Sequence, residues 1–177
     1  SSLVGRSVAM DSQTAALAPV GRNESGETVN MLSATVDMGN GSDGGVFEVR
    51  DDAGQLVFSG QLPAGSGNVP VVWDGEASDG SQLPPGDYNI SARVERGGDL
   101  RDARVYGHDT VISVAIGSGN QVTLNLASGR AVDVSDVKEF FYAHYAPNNA
   151  ILVVSGNIET NEIVWIGEKK ISKLVKN

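Results

Sequence analysis

The sequence contains no cysteine. That absence excludes disulfides, thiol catalysis and Cys-based zinc sites together. It leaves the compartment open, since an exported protein can do without disulfides. No apolar run approaches the roughly 18 residues that a membrane helix needs, so no membrane partner is expected. No charged-then-apolar leader of the secretory type is visible. Histidine is scarce, at 2 in 177 residues, and neither stands in a nucleophile context, so no Ser/His/Asp set can be assembled. A phosphate-cradling G-x-x-x-x-G-K-[ST] run is also missing. Cations are outnumbered, 13 Lys and Arg against 22 Asp and Glu, for a net charge of −9. A nucleic-acid partner needs a basic face, and this balance argues against one. Solubility explains the acidic excess well enough.

Glycine, by contrast, is abundant at 22 residues, and 40% of the chain is hydrophobic. A chain of this length makes one large domain or two small ones and buries roughly two thirds of its unfolded surface. The densest signal lies in Val71-Val72-Trp73-Asp74-Gly75, Asp79-Gly80, Leu83-Pro84-Pro85-Gly86 and Tyr88. An apolar strand runs into Asp-Gly turns, where Gly accepts positive φ and Asp bonds its own backbone. Pro84 and Pro85 lack amide donors, so the chain leaves the sheet there. Trp73 is expected to anchor a sandwich core, with Tyr88 beside it and its hydroxyl on a backbone partner.

Around that stretch the pattern is one of short strands. Residues 3–8, 14–20 and 30–38 read as strands, with a turn at Asn23–Gly26. Residues 46–50 and 55–58 flank Asp51-Asp52-Ala53-Gly54 as a hairpin, and 88–95 and 100–106 flank Gly97-Gly98 as another. Thr110–Ile116, Gln121–Ala127 and Arg130–Val134 alternate strictly between Gly turns. This three-stranded meander needs a partner face, which residues 3–20 can supply. The fold class is therefore mainly β: a small barrel from both chain ends around an inserted sandwich, with a short α/β tail. In the tail, helix (about 135–145), strand (150–155) and helix (about 160–173) are expected, with Ser135 and Thr160 as N-caps and Pro147 as a stop.

Five of these motifs together resemble a family. Leu3-Val4-Gly5-Arg6-Ser7-Val8, the hairpin at 49–57, the W-D-G…D-G…L-P-x-G-x-Y run, Val122-Thr123-Leu124-Asn125-Leu126, and Val132-Asp133-Val134-Ser135-Asp136-Val137 are similar, in order and spacing, to the C-terminal half of flagellar hook-assembly (hook-capping) proteins. The likeness covers about residues 1–139. It implies a Tudor-like barrel from residues 1–30 and 107–138 and a fibronectin III/Ig-like sandwich over 31–106. It also implies a cap or scaffold for hook polymerisation at the distal tip of the growing flagellum. Hook subunits would be its partners, it would self-associate in the full-length cap, and an N-terminal region absent here would guide its export from the cytoplasm. The motif residues Trp73, Asp74, Gly75, Gly80, Leu83, Pro84, Gly86 and Tyr88 carry a structural role in this reading.

Composition breaks near residue 140. The last 37 residues hold four of the five Lys and no Arg, five of the eight Ile, and only 2 of the 22 Gly. Phe141-Tyr142-Ala143-His144-Tyr145-Ala146-Pro147-Asn148-Asn149 and the following Ala150–Ile158 resemble a non-catalytic stretch of insulinase-type (pitrilysin-like) zinc peptidases. The family's H-x-x-E-H motif is absent, so no peptidase activity is expected.

The remaining chemistry is thin. Asp74, Glu76, Asp79 and Asp87 cluster with Gly, but the spacing is not an EF-hand loop, and Asx-turns explain them more simply. His108 stands in a Gly-His-Asp turn without a second His or Cys nearby, and His144 reads as a helix-end residue. No catalytic residue, cofactor or metal is expected. Two function classes remain: a structural assembly factor of the hook, and a generic extracellular Ig-like binding or adhesion module. The strands on both sides of the sandwich separate them, because a free module would not need them.

Overall fold

The turn dipeptides fall where the chain reverses. A computed structural model describes residues 3–141, 151–152, 163–166 and 169–172. The strands are β1 Ser7–Met10, β2 Thr14–Arg22, β3 Thr28–Asp37, β4 Gly44–Arg50, β5 Leu56–Leu62, β6 Asn68–Trp73, β7 Gly86–Arg96, β8 Asp99–Ala103, β9 Val105–Ile116, β10 Val122–Leu126, β11 Ala131–Asp133, β12 Val137–Phe141, β13 Ile151–Leu152, β14 Ile163–Ile166 and β15 Lys169–Ser172. Helix among the described residues is limited to two three-residue 3₁₀ turns, Ser118–Asn120 and Val134–Asp136. The expected β class is what the chain adopts.

The main sheet runs β11-β10-β9-β3-β2-β7-β4-β5, with β1, β6, β8, β12 and β13 paired off this path. Its pairings are antiparallel except that of β13 with β6. Both expected hairpins form, β4–β5 across Asp51–Gly54 and β7–β8 across Gly97-Gly98. The meander β9-β10-β11 forms as well.

Two apolar clusters sit in this framework. The larger gathers Leu17, Leu32, Phe47, Phe58, Trp73, Tyr88 and Ile90 with their neighbours. The smaller gathers Val8, Met10, Val111, Leu124 and Leu126, with Val132, Val137 and Phe140 at its margin. Strand β1 meets β9 and β12 at the smaller one: Ser7 pairs with Thr110 on β9 and with Phe141 on β12. Gly5 N–H donates to the Val111 carbonyl at 2.8 Å, which extends the contact to the L-V-G-R run. Strand β2 contributes Ala15 and Leu17 to the larger cluster, not to the smaller.

Strand β9 joins the two cores. Val105 is buried in the larger and Val111 in the smaller. Its twelve residues pair in succession with β3, β1 and β10. Gly107 marks the crossover. A Cβ there would collide with the Thr14 carbonyl and crowd Ala15, so only a residue without a side chain lets β2 lie this close.

The tail differs from the expectation. Residues 137–141 are a strand, not the middle of a helix, because Val137 and Phe140 have a place against the smaller cluster and β1 offers an open edge. Local helix propensity yields to that pairing. Residues 163–166 and 169–172 likewise pair as an antiparallel hairpin instead of a helix, consistent with the β-branched run Ile163-Val164. Residues 151–152 are extended, within the strand expected at 150–155. His144 and Pro147 and the Thr160 cap lie outside the described residues.

Candidate functional site

Trp73 is fully buried at the end of β6. Its ring lies 5.4 Å from Phe58 and 5.6 Å from Tyr88, the latter edge-on at 80°. Edge-to-face contact sets the positive rim of one ring against the negative face of the other. The indole N–H does not go unpaired: it donates to the Glu76 carbonyl at 2.9 Å. Tyr88 donates its hydroxyl to the Pro84 carbonyl at 2.6 Å. The two aromatics therefore hold the loop between them from both ends. Burial, then the charges of Asp51 and Asp52, raise the Tyr88 hydroxyl above its ordinary pKa, which keeps it a donor.

The loop itself is a small ladder. Leu83 N–H donates to Gly75, Ala77 N–H to Ser81, and Gly80 N–H to Ala77. Gly75 sits at φ 82° and Gly80 at φ 86°, in the left-handed region. At Gly75 the space is also closed, since a Cβ would lie 2.6 Å from Gln82 Nε2 and 2.7 Å from Leu17 Cδ2. Asp74 Oδ1 accepts from Glu76 N–H, and Asp79 Oδ1 from both the N–H and the hydroxyl of Ser81. The Ser81 bonds hold the Asp79 carboxyl below its usual pKa. These are Asx-turns, and among the described residues no three His, Cys, Asp or Glu side chains converge for a metal ion. Ser78 ties the loop to β5, donating its N–H to the Val57 carbonyl and accepting from Ser59 N–H.

His108 is placed differently from the expected turn. It lies inside β9, opposite Ala9, because β9 runs unbroken past the Gly-His-Asp triplet. Its Nε2 is 2.7 Å from Thr35 Oγ1 on β3. Burial pushes its pKa down to about 4. Beside it opens a cavity of about 70 Å³, lined in part by Thr14, Asp87, His108, Asp109, Ser128 and Arg130. No sequence spacing joins these residues, which come from four separate strands and turns.

A second arrangement has no sequence motif. Glu48 is buried on β4, with Arg93 at 3.2 Å and Arg50 at 3.5 Å. Arg93 is on β7, and only the strand register brings it to Glu48. The charged residues at alternate positions of β4 and β7 were the available signal.

Among the described residues the geometry is that of a β framework in which no three His, Cys, Asp or Glu side chains converge for a metal ion. Residues 22–98 match the family model described as the FlgD Ig-like domain. The resemblance to the hook-assembly family holds. The structure of FlgD from Xanthomonas campestris, described as giving insight into the hook capping essential for flagellar assembly, is 27% identical with a TM-score of 0.64. That match covers 77% of this chain and 93% of the other. FlgD from P. aeruginosa is 29% identical with a TM-score of 0.59, over 78% of this chain and 97% of the other. The FlgD-like match contains the whole Trp73–Tyr88 loop. Residues 131–177 match a different model, the peptidase M16 inactive domain. No curated protein matches the chain.

Proposed function

We propose that this chain is a structural assembly factor of the bacterial flagellar hook, acting as a cap or scaffold while hook subunits polymerise. The observation that carries this is the fold-level likeness to two FlgD structures over more than three quarters of the chain, at 27% and 29% identity. It is not an enzyme in this reading. Hook subunits are its partners, self-association completes the cap, and it acts outside the cell at the growing tip after export.

The two clusters support a finer division. Residues 1–30 with 107–138 form a Tudor-like barrel around Val8, Val111 and Leu124, residues 31–106 form a fibronectin III-like sandwich around Trp73, and 139–177 are an added tail. Strand β2 lies in the first of these ranges but packs on the larger cluster, and β3 crosses from the first range into the second. Trp73, Asp74, Gly75, Gly80, Leu83, Pro84, Gly86 and Tyr88 act as a clasp that fixes a rigid sandwich end. Strands β1 and β12, which flank the sandwich in sequence and pair with each other, favour this reading over a free-standing adhesion module.

The test is direct. Purified hook subunits are mixed with the chain, and polymerisation is followed by light scattering and electron microscopy. Binding to hook subunits with a change in polymerisation is expected. No binding at tens of micromolar would leave the generic extracellular Ig-like module as the better reading.

A further inference from the structure

Strand β6 is a strand whose outer side is paired over only part of its length among the described residues. One side pairs with β3 over all six residues, from Asn68↔Asp37 to Trp73↔Leu32. Among the described residues the other side pairs with β13 at Ile151↔Val71 and Leu152↔Val72. This is the one parallel pairing among the described strands, and parallel neighbours arrive by a crossover, not by a hairpin. The acceptor residues Val71, Val72 and Trp73 are all buried. Pro70 precedes them and offers no N–H, so a ladder can start only after it. That fixes the register at Val71 and leaves the first half of the edge blunted.

The two partners also have different origins in sequence. Residues 22–98, which contain β6, match one family model, and residues 131–177, which contain β13, match another. The pairing therefore joins stretches that match different family models, through the parallel backbone register Ile151↔Val71 and Leu152↔Val72.

We infer that the outer edge of β6 from Val71 onward is a strand-docking site for an extended apolar segment in parallel. In this chain the occupant is its own Ile151–Leu152 segment. Docking of this kind takes affinity from the main chain and needs little side-chain specificity.

The test uses the full chain and amide hydrogen exchange. Alternate amides of β6 face β3 and the outer edge, so exchange at Val71–Trp73 separates those held by β3 from those that depend on β13. In the double variant Ile151→Pro, Leu152→Pro, the outward amides should exchange about tenfold faster or more, while Phe47 and Val49 on β4 keep their protection. A synthetic peptide of residues 148–155, added in trans, should restore the β6 protection. Unchanged exchange at β6 overturns the proposal, as does a loss that the peptide fails to restore. Loss that spreads to β4 overturns it too, because the tail would then be an integral part of the core.

Discussion

Replacing Trp73 by Ala should remove the centre of the larger core. The side chain is 0% exposed. A buried indole takes roughly 200 Å² out of water, worth about 5 kcal/mol at ~25 cal/mol per Å² before the compactness of the unfolded chain is allowed for. Ala retains a small part of that, and the contacts to Phe58 and Tyr88 add a further fraction. The Glu76 carbonyl loses its indole donor, but Glu76 is exposed and water can replace it. The expected loss is about 4 kcal/mol, inside the ~3–5 kcal/mol seen for large aromatic truncations. Against a total stability of roughly 5–15 kcal/mol, the variant sits near the edge of folding.

Urea unfolding at 25 °C, followed by far-ultraviolet circular dichroism, gives the measurement. Indole fluorescence is unsuitable, since Trp165 would be the remaining reporter. With a slope of about 2 kcal/mol/M, the midpoint should fall by roughly 2 M at constant slope. Tyr88→Phe is the companion: it keeps the ring and loses the bond to Pro84, so it should cost about 1 kcal/mol. A Trp73→Ala loss below about 1 kcal/mol would refute the claim that this side chain organises the core.

Three further outcomes follow from the same geometry. His108 stays neutral in the fold until about pH 4 but takes its proton near 6.5 when unfolded, so the unfolded chain binds more protons in between. Stability should therefore fall by ~2–3 kcal/mol as pH drops from about 6.5 to about 4, with the loss from this group levelling off below that; urea midpoints across the range should show the slope, and His108→Gln should flatten it. Gly75→Ala should cost at least about 1–2 kcal/mol from the left-handed backbone alone, with more from crowding against Leu17, measurable as a lowered thermal midpoint. At −9 the chain should sediment as a monomer at low ionic strength, and any self-association should strengthen with added salt as repulsion is screened; a stable oligomer at low salt would contradict this.

The residues readable in advance were those whose role is local. The hairpin tip at Asp51 needs only its own neighbours: its carboxylate accepts from Ala53 and Gln55 N–H, and the D-D-A-G string announces that. Trp73 and Tyr88 were legible for a similar reason, since a large aromatic beside a Pro-Gly turn has few places to go. The contact of His108 with Thr35 was not, because 73 residues separate them and only the register of β3 on β9 joins them. The same holds for Glu48 with Arg93, 45 residues apart. The tail was misread where a helical pattern and a strand pattern share the same few apolar residues. Val137, Phe140 and Phe141 suit either, and the open edge of β1 decides between them.

That edge also bears on where the added segment begins. The peptidase-like match starts at residue 131, inside what the fold treats as its own closing strands. Val132 and Val134 pack at the margin of the smaller cluster, Val137 and Phe140 beside them. Asp133 caps the 3₁₀ turn between β11 and β12, accepting from Ser135 N–H at 2.8 Å and from its hydroxyl at 2.7 Å. Those bonds hold its carboxyl below the usual pKa, with a further contribution from Gln121. Each of these positions asks only for an alternating apolar pattern with an Asp-x-Ser cap. Strand β12, Val137–Phe141, therefore packs with the smaller cluster and β1 although it lies inside the second family's match. Truncation after residue 141 would keep every contact of β12 with β1, whereas truncation after residue 130 would strip Val132, Val137 and Phe140 from the smaller cluster and leave both β1 and β10 with an open edge.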